Sequence, residues 1–312
     1  MRLRLLTGAV VLLGAAGCGL SSAAQSEPVT VGVGALGEQQ VLAALTVEAL
    51  ERAEVPVERS DELGTTVGLR REAARDRVDL YWDYTGAAWS RGMREPAPPA
   101  DPIESWERVR EADRRNGLLW LEPTDADATF ALFVREGSRP NPEAGMSWLA
   151  GELSGGERTL CADADFIERP GGLDALADEY AIDLTRLSQQ PMSEEEAIAG
   201  VASGTCFAGL ATATSGAAHA EGLVPVADDL SVFPSFLVAP VARQGSPADR
   251  GEIREVLEPL VDALDSATLR RLNAEHEGGE APDELAERFL DELDELEESP
   301  DDAELDGSPD DG

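Results

Sequence analysis

The chain contains no lysine: all 25 of its cations are arginine, set against 62 aspartates and glutamates, for a formal charge of −37. A chain this acidic repels phosphate, which excludes nucleic-acid binding. Histidine is almost as scarce. The two present, His219 and His276, stand far apart, which excludes a histidine-rich metal site. His276-Glu277 is followed by Gly278-Gly279, which breaks the helix that a zinc protease needs. A Gly-x-Ser-x-Gly elbow is also missing. With these signatures absent, the chain is not expected to be an enzyme, and neither a cofactor nor a metal is expected. Beyond the apolar run Leu5 to Ala16, no stretch approaches the roughly 18 apolar residues that a membrane span requires.

What is present begins with export. Arg2 and Arg4 precede the uncharged run Leu5 to Ala16, which ends in Ala15-Ala16-Gly17-Cys18. This is the pattern of a secretory signal. The small residues ending in cysteine resemble a bacterial lipobox, which implies that Cys18 carries lipid and anchors the protein to the outer face of the cell membrane. Cys161 and Cys206 then remain in an oxidising compartment, where a disulfide is the default and two free buried thiols the alternative.

Along the chain, strand and helix patterns alternate. Val29, Val31 and Val33 read as a strand, Glu38 to Ala53 as a helix, Val55 and Val57 as a second strand. Asp79 to Trp82 reads as a third strand, and Ile103 to Arg115 as a helix after a proline-rich break. Strands near Leu118 to Leu121 and Phe130 to Val134 follow. A second α/β unit surrounds Cys161 and Cys206, and three helices close the pattern before an acidic tail. Such alternation predicts α/β architecture with parallel or mixed sheets.

Two motifs compete for function. Gly32-x-Gly34-x-x-Gly37 follows a strand, opens a helix, and has Glu58 further on, which is the spacing of a dinucleotide fingerprint. It would make the chain an exported dinucleotide-dependent oxidoreductase. Against that, Glu38 adds negative charge where a pyrophosphate would sit, so a tight strand-to-helix turn is the favoured reading. The second motif is aromatic. Only 5% of residues are aromatic, yet Tyr81, Trp82, Tyr84 and Trp89 cluster after a strand, and Phe233 and Phe236 flank Pro234-Ser235. Several ring faces can enclose a cation too bulky to accept hydrogen bonds, a quaternary ammonium above all, although core packing is the alternative for any one ring.

Five blocks in order carry a resemblance. Asp79-Leu80-Tyr81-Trp82-Asp83-Tyr84-Thr85-Gly86 is joined by Val29 to Gln40, Thr129-Phe130-Ala131-Leu132, Glu168-Arg169-Pro170-Gly171-Gly172, and Phe233-Pro234-Ser235-Phe236 with Ala239-Pro240-Val241. Together they resemble the glycine betaine/choline/carnitine solute-binding proteins of osmoprotectant ABC importers. The resemblance implies a two-lobe, type II periplasmic-binding-protein clamp with two hinge crossings, near Phe133 to Gly137 and Phe236 to Pro240. With the signal at 1–17, an anchored linker at 18–27 and a tail at 297–312 whose composition predicts disorder, this places a first lobe at 28–134 and 237–296 and a second at 135–236. The ligand would be a quaternary-ammonium osmolyte and the partner an ABC permease, and a lobe this acidic is expected to be a monomer. The family's four cage tyrosines fall on Tyr84, Phe130, Thr212 and Phe236, and its carboxylate-gripping arginine on Arg169. A family lysine falls on Gly34 and a threonine on Ala87, so the pocket has fewer donors than is usual there. A binding protein for another small solute, such as an amino acid, is the alternative.

Overall fold

The computed structural model describes residues 27–93, 99, 101–156, 158–169 and 171–298. The expected signal peptide, Cys18, and the tail from residue 299 lie outside the described residues. Among the described residues ten strands form, in chain order: β1 (Val29–Val33), β2 (Val57–Glu62), β3 (Leu80–Tyr84), β4 (Leu118–Trp120), β5 (Phe130–Arg135), β6 (Thr159–Ala162), β7 (Ser188–Pro191), β8 (Ala208–Thr212), β9 (Leu223–Val226) and β10 (Val238–Arg243). They divide into two sheets, β2-β1-β3-β10-β4 and β7-β6-β8-β5-β9.

The two sheets share one plan. In the first, β1 runs parallel to β2 and β3, while β10 runs antiparallel to β3 and β4. In the second, β6 runs parallel to β7 and β8, while β5 runs antiparallel to β8 and β9. In each sheet the antiparallel interior strand is the one that has just arrived from the other. A mixed sheet follows directly, because an arriving strand can enter the interior from the opposite end without a crossover helix. We call the two sheets with their helices lobe 1 and lobe 2. Each has its own apolar core: Val31, Leu42, Leu45, Trp82 and Leu257 belong to lobe 1, and Leu132, Leu149, Leu160 and Phe166 to lobe 2.

This pairing corrects the expected boundaries. All of β5 lies in lobe 2, pairing with β8 from Phe130 and with β9 through Arg135. The first crossing therefore lies between Trp120 and Phe130, ahead of residues 133–137, and lobe 2 begins before 135. The return crossing lies between Val226 and Val238, so Pro240 is already within β10. Alternating apolar residues mark β5 as a strand, but no local pattern says which sheet it joins. The last helix, Pro282–Glu298, runs past the expected start of the tail at 297. Among the described residues no helix is long and apolar enough to cross a membrane.

Cys161 and Cys206 are joined by a disulfide, with their Cα atoms 6.0 Å apart. It links β6 to the turn preceding β8, inside the lobe 2 core. Lobe 1 carries a buried charged cluster instead. Arg70 makes two bonds of 2.7 Å to Asp113, which also accepts from Trp120 Nε1 at 2.7 Å and Asn116 Nδ2 at 3.0 Å. Asp83, fully buried, is left with Arg70 at 3.4 Å and the Tyr84 amide at 2.9 Å. Burial pushes the Asp83 carboxyl up to about 7, because the one guanidinium is already committed to Asp113.

Two outcomes follow for stability. Opening the disulfide frees a loop spanning 45 residues, which in the chain-entropy account costs about 4 kcal/mol. Cys161→Ser with Cys206→Ser should lower the urea midpoint accordingly and remove its sensitivity to reductant. A carboxyl raised in the folded state contributes stability that is full below the ordinary carboxylate range and is lost as pH rises through about 7. Thermal melting across about pH 5 to 8 should therefore show wild type losing stability relative to Asp83→Asn as pH rises. Parallel melting profiles would show that Asp83 stays ionised throughout.

Candidate functional site

The two crossings run alongside each other, and the candidate site residues lie on either side of them. Val238 N donates to Ala126 O at 2.9 Å, Ala128 N to Phe236 O at 3.1 Å, and Thr129 Oγ1 to Pro234 O at 2.6 Å. Asp127 binds them together. Its Oδ1 accepts from Thr129 N at 3.0 Å and Phe236 N at 2.7 Å, and its Oδ2 from Ser235 Oγ at 2.7 Å. Burial raises the Asp127 carboxyl, while these three donors pull the other way.

Thr85 fastens the return crossing to the end of β3. Its amide donates to Leu237 O at 3.1 Å, and its hydroxyl accepts from Leu237 N at 3.0 Å. The contact is so close that a Cβ on Gly86 would come within 2.7 Å of both the Phe236 ring and Ser235 O. Gly86 is thus required by proximity, and Phe236 lies directly over the Tyr84-Thr85-Gly86 corner. Tyr84, the last residue of β3, is buried and donates its hydroxyl to Glu38 Oε1 at 2.6 Å. Burial first, and the Glu38 charge second, hold this phenol well above its ordinary range.

The remaining predicted residues gather on lobe 2. Phe130 opens β5, and Thr212, which ends β8, is its cross-strand partner. The Phe130 ring sits 6.4 Å from both Phe166 and Phe233, and those two are 6.0 Å apart. Arg169 follows the helix Ala164–Glu168 and lies over two of these rings, 5.8 Å from the Phe130 ring centre and 5.9 Å from that of Phe166. Its ion pair with Asp165 is long, at 3.7 Å, and its Nε is buried with no hydrogen-bond partner. Thr212 Oγ1 donates to Glu194 Oε1 at 3.1 Å. The structure thus brings Phe130, Arg169 and Thr212 together on lobe 2, and Tyr84 and Phe236 together at the β3 corner. The crossings, through Asp127, connect the two groups.

The fingerprint reading fails on contact geometry. A Cβ on Gly32 would meet Leu69 Cδ2 at 2.8 Å and Val78 Cγ1 at 2.9 Å, so this glycine serves strand–helix packing. A Cβ on Gly34 would meet Gln39 Oε1 at 2.0 Å, and one on Gly37 would meet His276 Cδ2 at 3.0 Å. The space that a pyrophosphate needs is filled by this chain's own side chains, and Glu38 stands in the first helical turn.

Sequence reasoning missed several residues here. Asp127-x-Thr129 is a local side-chain turn whose signal was legible in the polar run. Glu38 registered only as an obstacle to phosphate. Gln39 occupies the space beside Gly34, with its Nε2 buried and unpartnered. Asn273, near the other end of the chain, carries no sequence signal at all. It donates to Glu38 Oε2 at 2.8 Å and to Thr214 O at 2.8 Å.

Known proteins resemble this chain over most of its length. Residues 27–292 match the family described as the substrate binding domain of ABC-type glycine betaine transport systems. The chain is 31% identical over 281 residues to the glycine betaine-binding protein YehZ of Escherichia coli, covering 87% of this chain and 91% of that one. It is 28% identical over 287 residues to a glycine-betaine-binding protein of Pseudomonas aeruginosa, covering 89% and 92%. The structure of ligand-free YehZ from E. coli superposes with a TM-score of 0.78 at 28% identity, over 85% of this chain and 98% of that one. The chain is therefore an extracytoplasmic substrate-binding protein, not an enzyme, and it belongs to the family of substrate-binding domains of ABC-type glycine betaine transport systems.

Proposed function

We propose that the protein captures a quaternary-ammonium osmolyte between its lobes and delivers it to an ABC permease, as a monomer held to the outer face of the membrane by lipid on Cys18. The observation that carries this reading is the nearness of ring faces to an unsatisfied guanidinium donor, Arg169 Nε. Phe236 lies against Gly86 at the β3 corner beside Tyr84, Phe130 lies on lobe 2 beside Arg169, and closure would bring these rings toward one another. Rings attract a trimethylammonium by their quadrupoles, each contributing about 0.5–2 kcal/mol depending on how dry the site becomes. The Arg169 Nε, buried without a partner, suits a ligand carboxylate, which would give the charge-assisted bond that Asp165 at 3.7 Å does not. Glycine betaine and carnitine fit both features, and choline fits only the rings.

Thr212 brings no ring to the cage, and its hydroxyl is engaged by Glu194. A carboxylate there favours a cation, which supports the charge of the ligand while leaving the enclosure one wall thinner than four rings would make it. The Ala15-Ala16-Gly17-Cys18 sequence supports the anchor.

The test is calorimetric titration with glycine betaine, choline and carnitine. At least one should bind saturably. Arg169→Ala should weaken the carboxylated ligands by about tenfold or more, the worth of a charge-assisted hydrogen bond, and leave choline nearly unchanged. Equal losses for choline and glycine betaine would remove Arg169 from the carboxylate role. Silence for all three ligands would sink the quaternary-ammonium reading.

A further inference from the structure

Beside the crossings, a second line of contact between the two lobes runs through buried polar side chains; Ser266 Oγ accepts from Asp127 N at 3.0 Å and Ala213 N donates to Thr129 O at 2.7 Å. The helix Ser266–Glu277 of lobe 1 packs on the short helix Gly216–Ala220 of lobe 2. The approach is tight: a Cβ on Gly216 would fall 2.6 Å from both Ala274 N and the Asn273 carbonyl carbon. Arg270 Nη1 donates across the gap to Ala213 O at 2.6 Å. At the centre stands Asn273, 6% exposed. Its amide nitrogen has two hydrogens, and both are used, one to Glu38 Oε2 and one to Thr214 O across the lobes, each at 2.8 Å. Its own carbonyl oxygen is buried without a partner.

Followed the other way, the chain of bonds leads into the site. Glu38 takes the Asn273 amide on Oε2 and the Tyr84 hydroxyl on Oε1, the latter at 2.6 Å. Tyr84, Glu38, Asn273 and the Thr214 carbonyl thus form one continuous line from the proposed ligand wall to the opposite lobe. We propose that Asn273 is the positioning residue that couples occupancy at Tyr84 to closure of the clamp, through the Tyr84–Glu38–Asn273–Thr214 line.

The physical reason lies in how few arrangements satisfy the line. Tyr84 fixes one oxygen of Glu38, which leaves the other aimed at Asn273. Asn273 can then direct its second hydrogen to Thr214 only when the lobes are together. Opening the clamp exchanges that acceptor for water, so the bond adds its net worth, about 0.5–1.5 kcal/mol, to the closed arrangement. A cation on the Tyr84 ring draws the Glu38 carboxylate toward the site and stiffens the line, so that closure and ligand retention reinforce each other. This inference rests on the proposed cage only for the ligand's place at Tyr84; the line itself is present without ligand.

The experiment reads closure first without ligand. Small-angle scattering of the purified wild type, Asn273→Ala, Tyr84→Phe and Gly216→Ala should show a larger radius of gyration for all three variants. Tyr84→Phe is the deciding one, since its hydroxyl bonds within lobe 1 and a merely structural Asn273 would not respond to it. The Asn273→Ala/Tyr84→Phe double variant should open no further than Asn273→Ala alone. Gly216→Ala sets a methyl between the two helices without entering either core, so it remains informative if Asn273→Ala fails to fold. Stopped-flow release of whichever of glycine betaine, choline or carnitine binds should then be about tenfold faster in Asn273→Ala with association unchanged. A Tyr84→Phe protein as compact as wild type would overturn the coupling, as would unchanged compactness in Gly216→Ala. Absence of osmolyte binding would remove the cage while leaving the scattering result to judge the line.

Discussion

The relation of the two lobes depends on one carboxylate, Asp127, which accepts from its own turn and from the return crossing at once. Two chain crossings running side by side would otherwise present unpaired amides in a nearly dry place. By taking Phe236 N and Ser235 Oγ, Asp127 satisfies the return strand where it leaves lobe 2 and fixes it against the outgoing strand. Backbone bonds on either side, Val238 to Ala126 and Ala128 to Phe236, extend this into a narrow ribbon. Such a ribbon bends far more easily than it shears or twists apart. That is what a clamp needs from its hinge: one soft rotation, with the register of the strands kept.

The same fixation builds the site. Phe236 is held through its amide by the hinge and through its ring by Gly86, so its position follows lobe 1 and the crossing together. Phe130 and Arg169 follow lobe 2. The walls of the proposed cage therefore belong to different rigid bodies, and a ligand that touches both gains its full set of contacts only on closure. Glu38 adds a constraint that rings alone lack. It fixes the Tyr84 phenol as a donor to a carboxylate, which removes that hydroxyl from competition for a ligand anion and leaves the ring face as what Tyr84 offers.

Much of the architecture was legible because it is local. The Val29, Val31 and Val33 alternation, the apolar face of the Gly37–Arg52 helix, and the compact strand ending at Tyr84 all announce themselves in short windows. What the windows do not hold is pairing. β10 inserts between β3 and β4 although more than a hundred residues separate it from either, and β5 joins the sheet that follows it. β7, Ser188-Gln189-Gln190-Pro191, has no apolar alternation because it lies at a sheet edge, where a proline is tolerated. The site divides the same way. Tyr84, Phe130, Arg169 and Phe236 are marked by residue type within recognisable blocks. Asn273 is one asparagine in a helix, and its bonds to Glu38 and Thr214 exist only through the tertiary fold.

The charge of the chain bears on these contacts through their burial. At −37, most of the surface repels itself, and that repulsion is screened beyond roughly 8 Å at physiological salt and over shorter distances in brine. The bonds that set the clamp lie beneath that layer: Asp127 among the crossings, Thr85 at the corner, Asn273 between the helices. Salt therefore acts on the energy of bringing two acidic lobes together far more than on the geometry they adopt once together. The directional contacts are buried hydrogen bonds, mostly to backbone groups, and the ion pairs that salt weakens most are carried on the exposed faces of helices, as at Arg108–Glu104 and Arg115–Glu111.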